Sequence, residues 1–150
     1  SSDLAAQAGR VVDRARPADE VLQLALELGH EIRDFGSEDT LYPRTAISVA
    51  ESVARGEIDR GVVLCGTGIG VSIAANKVRG AYCALLTDAY QAQRAQLSNS
   101  ANMIAIGAQV TGPESAKRLL ADYLAVTYEP SERSAPKLAE LHRYEDTAHL

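Results

Sequence analysis

Aromatic residues are scarce in this sequence, which has no tryptophan and a single phenylalanine among 150 residues. Its hydrophobic core must therefore be built from Ala, Val, Leu and Ile, and a chain of this length is expected to close such a core as one domain spanning residues 1–150. Long apolar stretches and a leader-like amino terminus are also missing, so we expect neither a membrane span nor a signal peptide. The net charge of −5, without a Lys/Arg-rich block, disfavours nucleic acid or an acidic membrane as a partner.

Cysteine is rare as well: only Cys65 and Cys83 are present, each inside an apolar run. Two thiols are too few for a disulfide scaffold in a chain this long, so we expect reduced thiols and a cytoplasmic location. No usual metal-ligand spacing relates these cysteines to each other or to the histidines at positions 30, 142 and 149, which disfavours zinc. We expect no metal and no other cofactor.

Apolar periodicity predicts strands that alternate with helices along the chain. The predicted strands are 30–36, 59–65, 81–86 and 102–107, and the predicted helices are 18–28, 43–55, 71–77, 89–97 and 113–124, followed by an exposed helix in the polar tail. This order predicts right-handed βαβ units in an α/β fold, a doubly wound, Rossmann-like parallel sheet flanked by helices. Ligands bind such sheets at the carboxyl ends of their strands, and Cys65 stands at one of these ends.

The segment SSDLAAQAGRVVDRARP shows no recognisable strand ahead of the first helix. Only four strands can be read, which is few for this architecture. Either a short N-terminal strand is missing from the sequence given, or Val11 and Val12 belong to an irregular segment. The residues alone leave both alternatives open.

Three glycines follow Cys65 in the stretch CGTGIG. A Walker P-loop is excluded because Lys77 lies too far beyond the last glycine, and the G-x-G-x-G spacing fits a dinucleotide fingerprint poorly. A redox pair would need a second thiol close by. What remains is a geometric feature: glycine amides and a helix N-terminus together form a cradle for an oxyanion.

Three roles are open for Cys65 on these grounds. As a nucleophile it would normally need a histidine partner, and no histidine lies in a strand-end loop near the turn. As a base it would need only an acidic C–H beside a carbonyl whose developing charge the amides can hold. As a structural residue it would simply pack before a tight turn, as most cysteines do.

The segment CGTGIGVSIAANKV, with YP upstream and TDAYQAQRAQLSNSAN and GAQVTGPESAK downstream, resembles the ribose-5-phosphate isomerase B family, which also includes galactose-6-phosphate isomerase subunits. The resemblance runs from about Leu28 to Val126, with a looser match in the tail. It implies a metal-independent aldose–ketose isomerase of carbohydrate metabolism, of the ribose 5-phosphate/ribulose 5-phosphate type in the pentose phosphate pathway. The reaction would pass through a cis-enediolate.

The same resemblance implies roles for individual residues. Cys65 is the implied base, and Thr67 contacts substrate hydroxyls or helps to open a sugar ring. The implied substrate contacts are the amides of the turn around Gly66, Gly68 and Gly70, the side chains of Tyr42 and Asn99, and Asp3 in the segment SSDLAA. The tail, residues 128–150, is expected to reach a partner subunit of a homodimer or homotetramer with shared sites, where Arg133 and Lys137 bind the phosphate.

Four positions depart from the family pattern. Leu4 and Ser98 replace histidines, Gln109 replaces an arginine, and the arginine-rich tail motif is reduced to RSAPK. Family members use the histidine before Asn99 to open a furanose ring, and a tetrose 4-phosphate cannot form that ring because its O4 carries the phosphate. With Ser98 at the catalytic position, an erythrulose 4-phosphate/erythrose 4-phosphate isomerase is therefore an alternative, and a non-catalytic phosphosugar-binding module is a further one.

Overall fold

The computed structural model describes residues 3–8, 16–35 and 41–148, which form five strands and six helices. The strands are β1 (Asp3–Ala8), β2 (Glu31–Asp34), β3 (Arg60–Cys65), β4 (Cys83–Leu85) and β5 (Met103–Gly107). The helices are α1 (Arg16–Glu27), α2 (Tyr42–Ala54), α3 (Ile69–Asn76), α4 (Ala89–Asn99), α5 (Pro113–Leu124) and α6 (Ala135–Ala148).

All five strands pair in parallel in one sheet of order β2-β1-β3-β5-β4. The chain passes from β1 to β2 on one side of β1 and then crosses to β3 on the other side. The strand order therefore reverses between β1 and β3. This is the doubly wound α/β fold that the sequence predicts. A sheet of this kind opens a crevice at the switch point, at the carboxyl ends of its strands, and β3 ends there with Cys65.

The expectation of only four strands is wrong. The segment DLAAQA forms β1, which pairs with β2 through Asp3–Glu31 and with β3 through Leu4–Arg60. Alanine, aspartate and glutamine have low strand propensity, so the sequence pattern hides a strand that is held by neighbours on both sides. Val11 and Val12, the other candidates for this region, lie outside the described residues.

Successive residues of β3 and β5 pack into two separate cores, one on each face of the sheet. Val62 and Leu64 belong to the core beneath α1, α4 and α5, whereas Val63 and Cys65 belong to the core beneath α2 and α3. Both faces are covered, which explains the nearly continuous apolar sequence of these strands. Cys65 therefore points to the face that carries α2 and α3.

Local signals fix the starts of the helices. Pro43 occupies the first turn of α2, Asp88 Oδ1 accepts a hydrogen bond of 2.8 Å from the Gln91 amide at the start of α4, and Gly112 is the N-cap of α5. These starts confirm the predictions. Helix α3 begins at Ile69, two residues earlier than expected, because Gly68 is its N-cap.

The tail forms α6, and its second half packs against its own chain. Glu145 Oε1 accepts a hydrogen bond of 3.0 Å from the Gly80 amide, and the Tyr82 hydroxyl donates to the same carboxylate. Arg79 forms an ion pair with Asp146. These contacts fix the end of α6 against the segment that leads into the edge strand β4.

Candidate active site

Cys65 is the last residue of β3 and pairs in register with Gly107, the last residue of β5. Its Sγ accepts a hydrogen bond of 3.2 Å from the Gly68 amide. The residue is largely buried but keeps 9% of its surface exposed. The sulfur thus faces the turn that follows β3 and has a main-chain donor directed at it.

Gly68 shapes the turn that brings this donor to the sulfur. Its φ of +79° is in the left-handed region, and a Cβ there would lie 2.6 Å from Leu85 Cδ1 and 2.9 Å from the Gly107 amide nitrogen. Only glycine fits on both counts. The tight turn places the N-terminus of α3 beside Cys65, where Thr67 Oγ1 accepts a hydrogen bond of 3.2 Å from the Ile69 amide.

The loop after β5 forms a second wall of the turn. A Cβ at Gly107 would lie 2.5 Å from the carbonyl group of Thr67, so the two loops touch main chain to main chain. The Gln109 amide donates a hydrogen bond of 2.9 Å to the Gly66 carbonyl, and Gln109 Oε1 lies 2.9 Å from where a Gly66 Cβ would be. The sequence marked Gln109 only as a departure from the family. Gly107, which ends β5, was the feature of the sequence that could have indicated this contact.

Tyr42 completes the group within one chain. It begins α2, and its hydroxyl contacts Gly70 so closely that no side chain could be accommodated there. The structure therefore brings together Tyr42, Cys65, Gly66, Thr67, Gly68 and Gly70, all predicted from the sequence to share a site.

Other predicted residues lie elsewhere in the chain. Ser98 and Asn99 end α4, which runs back to the amino edge of the sheet before β5 begins. Asn99 lines an open groove of about 620 Å³ between β4 and α6, beside Tyr82 and Tyr144. One chain alone therefore does not place Asn99 or Ser98 beside Cys65.

Asp3, Arg133 and Lys137 are also outside the cluster. Asp3 begins β1 at the amino edge, paired with Glu31, whereas Cys65 ends β3 at the carboxyl edge. Within the chain, the length of a strand separates the backbone of Asp3 from the glycine turn. Arg133 and Lys137 are exposed at the start of the tail helix.

Ser98 has a partner that the sequence analysis did not identify. Arg94, one helical turn earlier on α4, donates from Nε to Ser98 Oγ at 2.7 Å. The i, i+4 spacing of the two residues was the signal for this contact.

Cys83 has a different environment. Asn76 accepts from the Cys83 amide at 2.8 Å and donates to its carbonyl at 2.9 Å, which satisfies the main chain of this edge strand. Burial raises the pKa of the Cys83 thiol to about 12. The thiol is therefore neutral in the folded protein at physiological pH.

The part of the chain that the structure describes also bears on metal binding and on membrane insertion. No group of three or more His, Cys, Asp or Glu side chains is placed to hold a metal ion among these residues, and His149 lies outside them. No helix among them is both long and apolar enough to cross a membrane.

Comparison with known proteins yields consistent matches. The family model described as Ribose/Galactose Isomerase matches residues 14–141. The chain is 44% identical over 111 residues to D-erythrulose-4-phosphate isomerase 2 of Mycolicibacterium smegmatis, covering 73% of each chain. It is 42% identical over 113 residues to ribose-5-phosphate isomerase B of Escherichia coli, covering 73% of this chain and 76% of that one.

Among solved structures, the type B ribose 5-phosphate isomerase of Trypanosoma cruzi superposes with a TM-score of 0.88 at 31% identity. The match covers 100% of this chain and 99% of that chain. The likeness therefore extends over the whole fold as well as over the glycine turn.

Proposed function

Because this chain belongs to the ribose/galactose isomerase family and is an aldose–ketose isomerase of sugar phosphates, we propose that Cys65 is the base that moves the substrate's proton. The observation that carries this proposal is the position of its sulfur. Sγ stands at the carboxyl end of β3 and accepts a hydrogen bond of 3.2 Å from the Gly68 amide. An anionic sulfur at this place can take a proton from a carbon held against the turn.

The reaction balances with the groups of this site alone. The Cys65 thiolate takes the proton from C2 of the aldose, the C–H electron pair forms the C1–C2 double bond, and the carbonyl π pair becomes the charge on O1. The resulting thiol returns the proton to C1, the O2 hydroxyl proton passes to O1, and the C2–O2 carbonyl of the ketose forms. No oxidant, reductant or metal is needed.

We assign the developing charge on the enediolate oxygen to the amides at the start of α3. Gly68 already donates to the base and the Ile69 amide to Thr67 Oγ1, so we assign the role to the other amides of the stretch from Gly66 to Gly70. The N-terminus of α3 adds partial positive charge at the same place. Tyr42 and the Thr67 hydroxyl line the space in which the sugar lies.

We propose a homodimer whose sites are shared between subunits. Asn99 and Ser98 lie at the opposite edge from Cys65 in one chain, so a second copy must supply them if they contact the same substrate. The outer face of α3 exposes Ile69 by 52% and Ile73 by 56%, one turn apart, and Leu85 borders the glycine turn beside them. An apolar surface of this kind next to a site is typical of an interface.

Arg133 and Lys137 fit the role of phosphate ligands from the partner. Both are exposed cations at the start of α6, whose second half is fixed to its own chain. We do not include Asp3, because its backbone lies at the amino end of β1. A cytoplasmic location agrees with the chemistry, since oxidation of Cys65 to a disulfide would remove the base.

We propose ribose 5-phosphate as the substrate because of the similarity to the E. coli relative named ribose-5-phosphate isomerase B, and a tetrose 4-phosphate is the second candidate. Ser98 stands where family members carry the histidine that opens a furanose ring, and this favours the tetrose. The relative from M. smegmatis is named D-erythrulose-4-phosphate isomerase, which points the same way. A substrate without a ring does not need that histidine.

We expect Cys65→Ala to lower turnover by about 10²-fold to 10⁴-fold, the contribution of a well-placed general base, while the fold is retained. Proton NMR in deuterated water should show exchange at C1 or C2 with the native protein and not with the variant. Substrates for the assay are ribose 5-phosphate, erythrulose 4-phosphate and a six-carbon phosphate. A variant that keeps more than about a tenth of the native rate would show that another group is the base.

Exchange rates measured on these sugars distinguish the two candidate substrates. They also distinguish an enzyme from a protein that only binds phosphosugars. A higher kcat/KM for erythrulose 4-phosphate supports the tetrose, and a clear preference for ribose 5-phosphate rejects it. Binding without exchange on any of these sugars would contradict the enzymatic proposal altogether.

A further inference from the structure

Helix α4 carries one cation and no acid in its sequence AYQAQRAQLSN. Arg118 and Arg143 pair with carboxylates on their own helices, at 3.0 Å and 2.5 Å. Among the ion pairs formed within the described part of the chain, none includes Arg94. Its Nε instead donates to the Ser98 hydroxyl at 2.7 Å. No carboxylate in the described part of the chain therefore offsets the charge of this guanidinium, which donates to a serine hydroxyl instead.

Ser98 differs from another helical serine of this protein. Ser48 donates its hydroxyl hydrogen to the carbonyl of Arg44, four residues earlier, at 3.0 Å. Among the described residues Ser98 has no such acceptor, and its oxygen is engaged from Arg94 instead. A hydroxyl has one hydrogen to donate, so the hydrogen of Ser98 is available to a group outside the chain.

We propose that Arg94 is a positioning residue that polarises the Ser98 hydroxyl, which then donates a hydrogen bond to an oxygen of the bound sugar phosphate. A charged donor on Oγ strengthens the outward O–H as a donor, because hydrogen bonds in a chain polarise one another. The inference rests on the proposed function, in which the end of α4 completes the site of the partner subunit.

The chemistry of the pair indicates the kind of substrate. A guanidinium does not give up its proton in a protein, and a serine hydroxyl held in this way donates a hydrogen bond without transferring the proton. The pair can hold a sugar whose carbonyl is already free. It supplies no acid that could open a sugar ring. It therefore suits an open-chain sugar phosphate.

A double-mutant cycle on Arg94 and Ser98 tests the inference, with erythrulose 4-phosphate as the probe. Ser98→Ala removes the hydrogen bond to the substrate and should raise KM by about tenfold, with a smaller change in kcat. Arg94→Met leaves the hydroxyl but removes its polarisation, so KM should rise by a smaller factor. Since Arg94 acts through Ser98, the double variant should match Ser98→Ala. Arg118→Met, which removes an exposed arginine from α5, is the control and should leave KM unchanged.

Two outcomes overturn the inference. One is an Arg94→Met protein with the KM of the Arg118→Met control. The other is a double variant whose loss equals the product of the single losses, since Arg94 would then act independently of Ser98. Thermal unfolding of each variant verifies that the fold is intact. Failure of the proposed function would give a different result. The Cys65→Ala protein would then still exchange the substrate's hydrogen with solvent, whatever the KM of the Arg94 variants.

Discussion

Two cysteines on neighbouring parts of one sheet have different chemistry because their surroundings differ. Cys65 ends β3 at the glycine turn and its sulfur accepts a hydrogen bond from the Gly68 amide, whereas Cys83 begins β4 and Asn76 binds its main chain. Both residues are 9% exposed, so the position of each in its strand and the main-chain donor at Cys65 distinguish the two thiols.

At the residue scale, Cys83 should make the protein less stable in alkali. Burial raises its pKa from 9.0 to about 12, so above pH 9 the unfolded chain releases a proton that the folded chain retains. This group then lowers the free energy of unfolding by up to about 1.4 kcal/mol per pH unit between the two pKa values. Urea denaturation from pH 8 to pH 11 should give a steeper loss for the native protein than for Cys83→Ala.

The slopes of unfolding free energy against pH are the quantities to compare. Cys83→Ala also removes packing contacts, but that loss is present at every pH. The pKa values of Tyr82 and Tyr123 are raised by burial too, and both tyrosines remain in the variant. Parallel slopes for the two proteins would contradict the assignment of this loss to Cys83.

At the scale of the element, the active turn is held by main-chain contacts between the ends of β3 and β5. The Ala108 amide donates to the Cys65 carbonyl at 2.8 Å, and the Gln109 amide to the Gly66 carbonyl at 2.9 Å. Gly107 lets these loops touch. The geometry around the sulfur therefore depends on a glycine that ends a different strand.

Gly107→Ala should disturb this geometry. Its Cβ would lie 2.5 Å from the Thr67 carbonyl group, so the turn must shift. We expect a loss of about 1–3 kcal/mol in unfolding free energy, the usual cost of overpacking, and a fall in kcat of at least about tenfold. Steady-state kinetics and urea denaturation measure the two effects.

Gly112→Ala is the matched control, since nothing lies within 4 Å of a Cβ there and its φ is −66°. It should retain native activity and lose no more than about 1 kcal/mol of unfolding free energy, since alanine is a poorer N-cap than glycine. If Gly107→Ala behaves like this control, the contact between the two loops has no part in holding the site.

At the scale of the whole molecule, Cys65 and Asn99 lie at opposite edges of one sheet, so the shared site that we propose needs two chains. Covering the apolar residues of α3 gives a physical reason for the two chains to associate. The oligomer would then be part of the active site as well as a source of stability.

Mixing two inactive variants tests this arrangement. In a dimer of Cys65→Ala with Asn99→Ala, one site carries both substitutions and the other carries neither. Random exchange of subunits should therefore restore about a quarter of the native activity, since about half of the dimers are mixed. Absence of recovery, when size-exclusion and mass measurements show mixed dimers, would place each site within a single chain.

The sequence by itself determined the alternation of strands and helices, the doubly wound class and the glycine turn after Cys65. These features depend on local patterns: apolar periodicity, helix caps at Asp88 and Pro43, and glycines where side chains cannot fit. The strand pattern placed Cys65 and its glycine turn at the carboxyl edge of the sheet, whereas Tyr42 and Thr67 were predicted from the resemblance to the family.

Only the tertiary structure decided the rest. Strand β1 was hidden because its alanine-rich sequence carries no strand pattern and is held by pairing with β2 and β3. The placement of Gln109 over Gly66, the bond from Arg94 to Ser98 and the separation of Asn99 from Cys65 all depend on how distant segments pack. The physical reason is that local patterns fix the conformation of a segment, whereas its neighbours in space are fixed by the burial and pairing of the whole chain.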